Sequence, residues 1–168
     1  MSTKYKAGFT IIEVVLVLAI AGLIFLMVFV ALPTLQKSQK DTQRRNDIAR
    51  VGTALLNYYA NNKKLPNKNE QNITQTFIDN YLGGSDFKDP NGEPYKLHID
   101  IIQSSASYGT PVNNYINGNN DSYKIAIYEN AKCGSGSDVG KAVYNAGASN
   151  YAVMYDLEGS GTYCIDNS

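Results

Sequence analysis

Tryptophan is absent from the 168 residues, histidine occurs once and cysteine only twice. Two cysteines, Cys133 and Cys164, do not make a four-ligand zinc site unless other ligands join them. In an exported chain they are expected to pair as one disulfide. His98 stands in a predicted strand with no Cys, Ser or acid cluster beside it, and is read as solvent-facing or satisfied. No charge of one sign prevails: 15 basic residues face 15 acidic ones, so bulk electrostatics gives no signal for nucleic acid or an acidic substrate. Nowhere does the sequence gather the acid, base or metal ligands that an enzyme needs. No catalytic residue, cofactor or small-molecule ligand is expected.

What is abundant points elsewhere. Thirteen tyrosines and fourteen glycines, with many Asn and Ser, suit a β-rich, loop-rich exported surface. The start of the chain is short and polar, with Lys4 and Lys6 before Gly8. After Glu13 the chain is uncharged from Val14 to Leu32, nineteen residues that reach the length of a membrane span. A secretory signal peptide has a shorter apolar core and a small-residue cleavage site after it. Here Pro33-Thr34-Leu35-Gln36-Lys37 follows, which is not such a site. Lys4 and Lys6 predict a cytoplasmic N-terminus and an exported C-terminal part.

Beyond Pro33 the pattern becomes amphipathic. Ile48, Val51, Leu55, Tyr58 and Tyr59 recur at helical spacing and mark a core-facing stripe, in a stretch that also holds Gln43, Arg44, Arg45, Asp47 and Arg50. Asn61 to Pro66 ends the helix with weak formers and a proline. Phe9 to Asn61 is 53 residues, about 80 Å if helical throughout. A helix of that length does not fit inside a small globule, so half of it is expected to project. The remainder reads as a small α+β head. Ile73 to Leu82 is a predicted short helix, stopped by Gly83-Gly84. Tyr95 to Ile102, Tyr123 to Glu129, Tyr151 to Leu157 and Gly161 to Ile165 are predicted strands, the last two joined as a hairpin through Glu158-Gly159-Ser160-Gly161. The Gly-, Ser- and Asn-rich stretches Ser104 to Asp121 and Lys132 to Asn150 are assigned to loops.

Glu13 is the informative residue. A carboxylate at a helix centre in a membrane costs roughly 2.5–3.5 kcal/mol on insertion scales, less near the interface, so an acid at the edge of a span calls for a function. The run Lys6-Ala7-Gly8-Phe9-Thr10-Ile11-Ile12-Glu13-Val14 resembles the leader and processing site of type IV prepilins: a short basic leader, Gly, Phe, apolar or Thr residues, Glu, then a long apolar helix. Ile48 to Pro66 resembles the family's second half-helix. Lys88-Asp89-Pro90-Asn91-Gly92-Glu93-Pro94-Tyr95 resembles an Asp-Pro-x-Gly-x-Pro-Tyr turn found where the first head strand begins in many pilins and pseudopilins.

The resemblance implies the pilin fold, a long N-terminal helix packed on a small antiparallel β-sheet. It divides the chain into a removed leader (1–8), a membrane and filament-core half-helix (9–35), an amphipathic half-helix (36–62) and a head (63–168). It also implies that a prepilin peptidase cuts between Gly8 and Phe9 and methylates the Phe9 amine. The partners implied are further copies of the chain in a helical filament, the pilus assembly machinery, and the inner membrane before assembly. Cleavage removes Lys4 and Lys6, leaving 13 basic and 15 acidic residues. In a bundle of such helices Glu13 can pair with the Phe9 amine of a neighbour, and the severe penalty for a missing partner would fix axial register. Packing of the apolar surface would carry much of the affinity. Family members commonly carry a proline earlier in the span than Pro33, and Gly22 matches a usual helix-weakening position. The weak stretch expected here is Gly22 to Pro33, because Pro33 cannot donate to the carbonyl of Phe29. The nearest rival is a type II secretion pseudopilin, favoured by the Asp89 to Tyr95 turn, whereas the cysteine pair favours a pilin. Asn117, Asn119 and Asp121 have the alternation of an oxygen-ligand loop but lack the acids of an EF-hand, and are read as a plain turn.

Overall fold

The computed structural model describes residues 8–67, 69–101, 124–145, 147, 149–159 and 161–168. The leader before Gly8 and the Asn117, Asn119 and Asp121 segment lie outside them. One helix, α1, runs unbroken over Ile11–Asn62 and passes through two compact units, Met1–Gln39 and Lys40–Ser168.

In the first unit α1 is apolar on all sides from Val14 to Leu32. Its most apolar 18-residue window has a mean hydropathy of 3.2, and none of that window is buried. Gly22 and Pro33 both lie inside the continuous helix. A helix that is apolar all round must find lipid or protein to cover it. The second unit reads differently. From residue 41 onward a buried stripe of Asp41, Arg44, Ile48, Val51, Leu55 and Tyr58 recurs every three or four residues. Gly52 and Ala54 are buried beside it. The helix stops where Lys63 turns left-handed, at φ 58°, and its amide closes on the Tyr59 carbonyl at 2.8 Å.

The stripe packs on a four-stranded sheet of order β1-β2-β5-β6, built from β1 (Lys96–Ile101), β2 (Lys124–Glu129), β5 (Tyr151–Leu157) and β6 (Gly161–Asp166). Register places Ile99, Ile127, Val153 and Ile165 in one row across all four strands. Ile99, Ile127 and Val153 join Ile48, Val51 and Leu55 in the main core, and Ile165 packs against it. Branched side chains on a pleated face suit this contact. The helix comes close because Gly52 has no side chain: a Cβ there would sit 2.8 Å from Ile165 Cδ1. Tyr151 uses the gap, donating its hydroxyl to the Gly52 carbonyl at 2.9 Å.

The opposite face of the sheet carries small residues. Ala126, Ala152 and Met154 form a second cluster with Tyr128, Ala131 and Ala142. Over it lies a two-stranded antiparallel hairpin, β3 (Ala131–Cys133) with β4 (Ala142–Tyr144). Cys133 of this hairpin is disulfide-bonded to Cys164 of β6, with a Cα–Cα distance of 5.9 Å. Alanine side chains bury little apolar area, so the covalent bond supplies hold that packing alone would not.

Two sequence expectations are corrected and a third gains detail. The sheet is not wholly antiparallel, since β1 and β2 run parallel. The Lys132 to Asn150 stretch is not all loop, because β3 and β4 pair within it. The predicted helix from Ile73 to Leu82 is helical throughout but changes type, from α2 (Ile73–Phe77) to a π turn (Ile78–Leu82). The π turn brings Tyr81 against Tyr58 and Phe77, with ring centroids 5.4 and 5.5 Å away. The other strands begin and end within one residue of their expected bounds.

Candidate functional site

Gly8 and Phe9 precede the helix, and Phe9 is 91% exposed. A Cβ built on Gly8 would meet nothing within 4 Å. Among the described residues nothing requires glycine at this place.

The first turn explains the order Thr10-Ile11-Ile12-Glu13. The first four amides of a helix lack partners within it. The Glu13 amide donates to Thr10 Oγ1 at 3.4 Å, and the Thr10 amide and hydroxyl both donate to Glu13 Oε2 at 2.9 Å. This is a reciprocal capping box. The sequence resemblance makes Glu13 a partner for a neighbouring chain. In the single chain its carboxylate is already held by Thr10, a residue that reasoning did not single out. The box signature of Thr followed three positions later by Glu was available to find it. Beyond Glu13 the helix presents exposed Val14, Leu18, Phe25 and Phe29 with no polar side chain among them.

In the second unit a charged cluster ties α1 to two turns. Arg44 is 2% exposed. Its Nε and Nη2 donate to the two oxygens of buried Asp89 at 2.7 and 3.1 Å. Nη1 donates to Asp41 at 3.1 Å and Nη2 also to Glu158 at 2.8 Å. The carboxylates in turn hold backbone. Asp41 accepts from the Glu158 and Gly159 amides, each at 3.0 Å, and Asp89 accepts from the Asn91 amide at 2.9 Å. Tyr155 donates its hydroxyl to Asp89 at 3.0 Å, and Lys40 donates to Asn91 Oδ1 at 2.6 Å. The hydrogen bonds that Arg44 donates to Asp89, outweighing burial, raise the pKa of its guanidinium above the ordinary value. Burial pushes Asp89 up, but the bonds from Arg44 and the Asn91 amide reverse this and leave it below its usual value. The bond from Arg44 likewise lowers Glu158. Tyr95, at the end of the same turn, donates to Asp47 at 3.0 Å, and burial followed by the Asp47 charge raises its hydroxyl.

Sequence reasoning found the Asp89 turn but not what it grips. Cys133 and Cys164 come together as expected. His98 lies half-buried on β1. Among the described residues no group of three or more His, Cys, Asp or Glu side chains is arranged to hold a metal ion.

One comparison with known proteins gives a match: the family model for the prokaryotic N-terminal methylation motif covers residues 3–29. No curated protein and no solved structure matches the chain. The matched segment spans the basic leader, the Gly8-Phe9 pair, the capping box and much of the apolar run. The motif and the exposed apolar helix together indicate membrane anchoring before assembly. The N-terminal segment thus carries a type IV pilin-like prepilin leader, of the kind that a prepilin peptidase processes for assembly in a pilus-like system.

Proposed function

We propose that this chain is a structural subunit of a type IV pilus filament and not an enzyme. A prepilin peptidase cuts between Gly8 and Phe9 and methylates the Phe9 amine. The precursor sits in the cytoplasmic membrane with its N-terminus inside. The pilus machinery then moves the mature chain into a helical filament of identical subunits at the cell surface. Filaments of this kind serve adhesion, twitching motility or DNA uptake.

The observation that carries this reading is the match at residues 3–29, which spans Gly8 and Phe9 and enters a helix that is apolar and exposed beyond Glu13. That apolar surface moves from lipid to neighbouring helices, so association rests on close packing and on the few polar contacts available. Glu13 supplies the polar one. Thr10 satisfies its carboxylate while the subunit is alone in the membrane. In the filament the Phe9 amine of a neighbour becomes its ionic partner. A subunit out of step leaves that charge buried without a counter-ion, at a cost large enough to exclude other registers.

Electron microscopy of producing cells tests the reading: surface filaments that vanish on deletion of this chain support it. A second reading, a type II secretion pseudopilin, is supported by the Asp89 to Tyr95 turn. In that case no surface filament depends on the chain and secretion of exported proteins fails on its deletion.

A further inference from the structure

Arg44 gathers carboxylates from segments far apart in sequence: Asp41 from its own helix, Asp89 from the turn before β1, and Glu158 from the turn between β5 and β6. The same carboxylates accept the Asn91, Glu158 and Gly159 amides, so each turn is held both by charge and by its backbone. Gly159 is shaped for this, since a Cβ there would lie 3.2 Å from Asp41 Oδ2. The main apolar core is continuous without these ions: Ile48, Val51 and Leu55 of α1 meet Ile127 and Val153 of the sheet directly. Losing the ionic contacts therefore opens the two turns at Asn91 and at Glu158-Gly159, while Tyr95, at the end of the first, stays in the core.

We propose that this cluster is an acid-released latch. At neutral pH it holds the Asp89 to Tyr95 turn and the Glu158-Gly159 turn on α1. On acidification it frees both turns while helix and sheet stay packed.

The groups facing Arg44 are Lys40 and Asp41 from α1, Asp89 with the neutral Asn91 from the first turn, Tyr155 from β5 and Glu158 from the second turn. Tyr95 and Asp47 form the next contact outward. In acid the lysine, arginine and tyrosines keep their protons, so only the carboxylates change state. Asp89 and Glu158 are both held below their ordinary values. A depressed carboxylate contributes stability that is complete above its unfolded value, about 4, and is lost as pH falls through its folded value. Protonation turns an acceptor of the guanidinium into a neutral acid and leaves Arg44 buried with too little countercharge. Glu158, with a side chain 37% exposed, is the entry point for the first proton.

Hydrogen exchange of the full-length chain in detergent micelles, compared at pH 7 and pH 3 after correction for intrinsic rates, tests the latch. The Asn91, Glu158 and Gly159 amides are expected to lose at least roughly ten-fold more protection than the Ile127 and Val153 amides, as local opening requires. Equal loss at all five amides, or none at the turns, overturns the proposal. Glu158→Gln removes the entry charge without emptying the site and is expected to raise the pH at which the Glu158 and Gly159 amides open. An unchanged opening pH also overturns it. Asp41→Asn is expected to expose the same two amides at pH 7. Should that variant fail to fold, the unaltered chain and Glu158→Gln still decide.

Discussion

The amide and the hydroxyl of Thr10 both donate to one oxygen of Glu13, at 2.9 Å each, while the Glu13 amide returns a bond to the Thr10 hydroxyl. The acid at the edge of the membrane span is thus part of the helix's own start, not a bare charge awaiting a partner. Thr10→Val keeps the shape of the side chain but removes one donor to the carboxylate and the acceptor of the Glu13 amide. It is expected to weaken the first turn by about 0.5–2 kcal/mol. The readout is faster exchange of the Glu13 and Val14 amides in micelles, with the rest of α1 unaffected.

Glu13→Val separates insertion from assembly. The substitution makes the span more apolar, so the precursor still enters the membrane. Filament yield is expected to collapse, because the charged partner of the neighbouring amine is gone. Membrane fractionation and counting of sheared filaments check the two halves of this statement. Normal filament yield would remove the register role.

Asp89→Ala leaves Arg44 with two carboxylates in place of three and removes the acceptor of the Tyr155 hydroxyl bond. Removing one partner from a buried ion pair costs about 3–5 kcal/mol. Urea unfolding in micelles, followed by the near-ultraviolet circular dichroism of the tyrosines, measures it. Arg44→Lys is also expected to destabilise, since a single ammonium does not span both Asp89 oxygens.

Reduction of Cys133–Cys164, which closes a sequence separation of 31, is expected to cost roughly 3–4 kcal/mol in the chain-entropy picture. The β3–β4 hairpin loosens first, because it contributes only the small side chains of Ala131 and Ala142 to the buried contact with the sheet. The check is hydrogen exchange before and after reduction, with labelling of the unfolded, unreduced chain to count thiols. Two reactive thiols per chain would exclude the bond.

Gly52→Val puts bulk where Ile165 Cδ1 and the Tyr151 hydroxyl now meet the helix. Overpacking of this kind costs about 1–3 kcal/mol. Adding Ile165→Val is expected to recover part of it, which distinguishes crowding from a loss of helix propensity.

Much of this was written in the sequence where chemistry is local. The span shows as an unbroken apolar run, the buried stripe as Ile48, Val51, Leu55 and Tyr58 at helical spacing, and the β5–β6 hairpin through its Gly-containing turn. The charged cluster was hidden because its members are distant: Asp89 and Glu158 lie 45 and 114 residues from Arg44. One sign of it was present. Asp41 and Arg44 continue the three-and-four spacing of the stripe, which places both on the buried face. Sequence reasoning did not extend the stripe to charged residues, because a buried arginine is rare unless paired. Parallel pairing of β1 with β2 leaves no local mark. Strands as short as β3 and β4 carry too few residues for alternation to show, and their place depends on a covalent bond across the sheet.

Processing at Gly8 and Phe9 is the step on which the filament role depends. Mass spectrometry of the chain recovered from producing cells reads both processing steps in one N-terminal peptide. The expected result is a chain that begins at N-methylated Phe9, and unprocessed precursor in the membrane when Gly8 is replaced by a bulky residue. An intact Met1 terminus on the assembled protein would contradict the account.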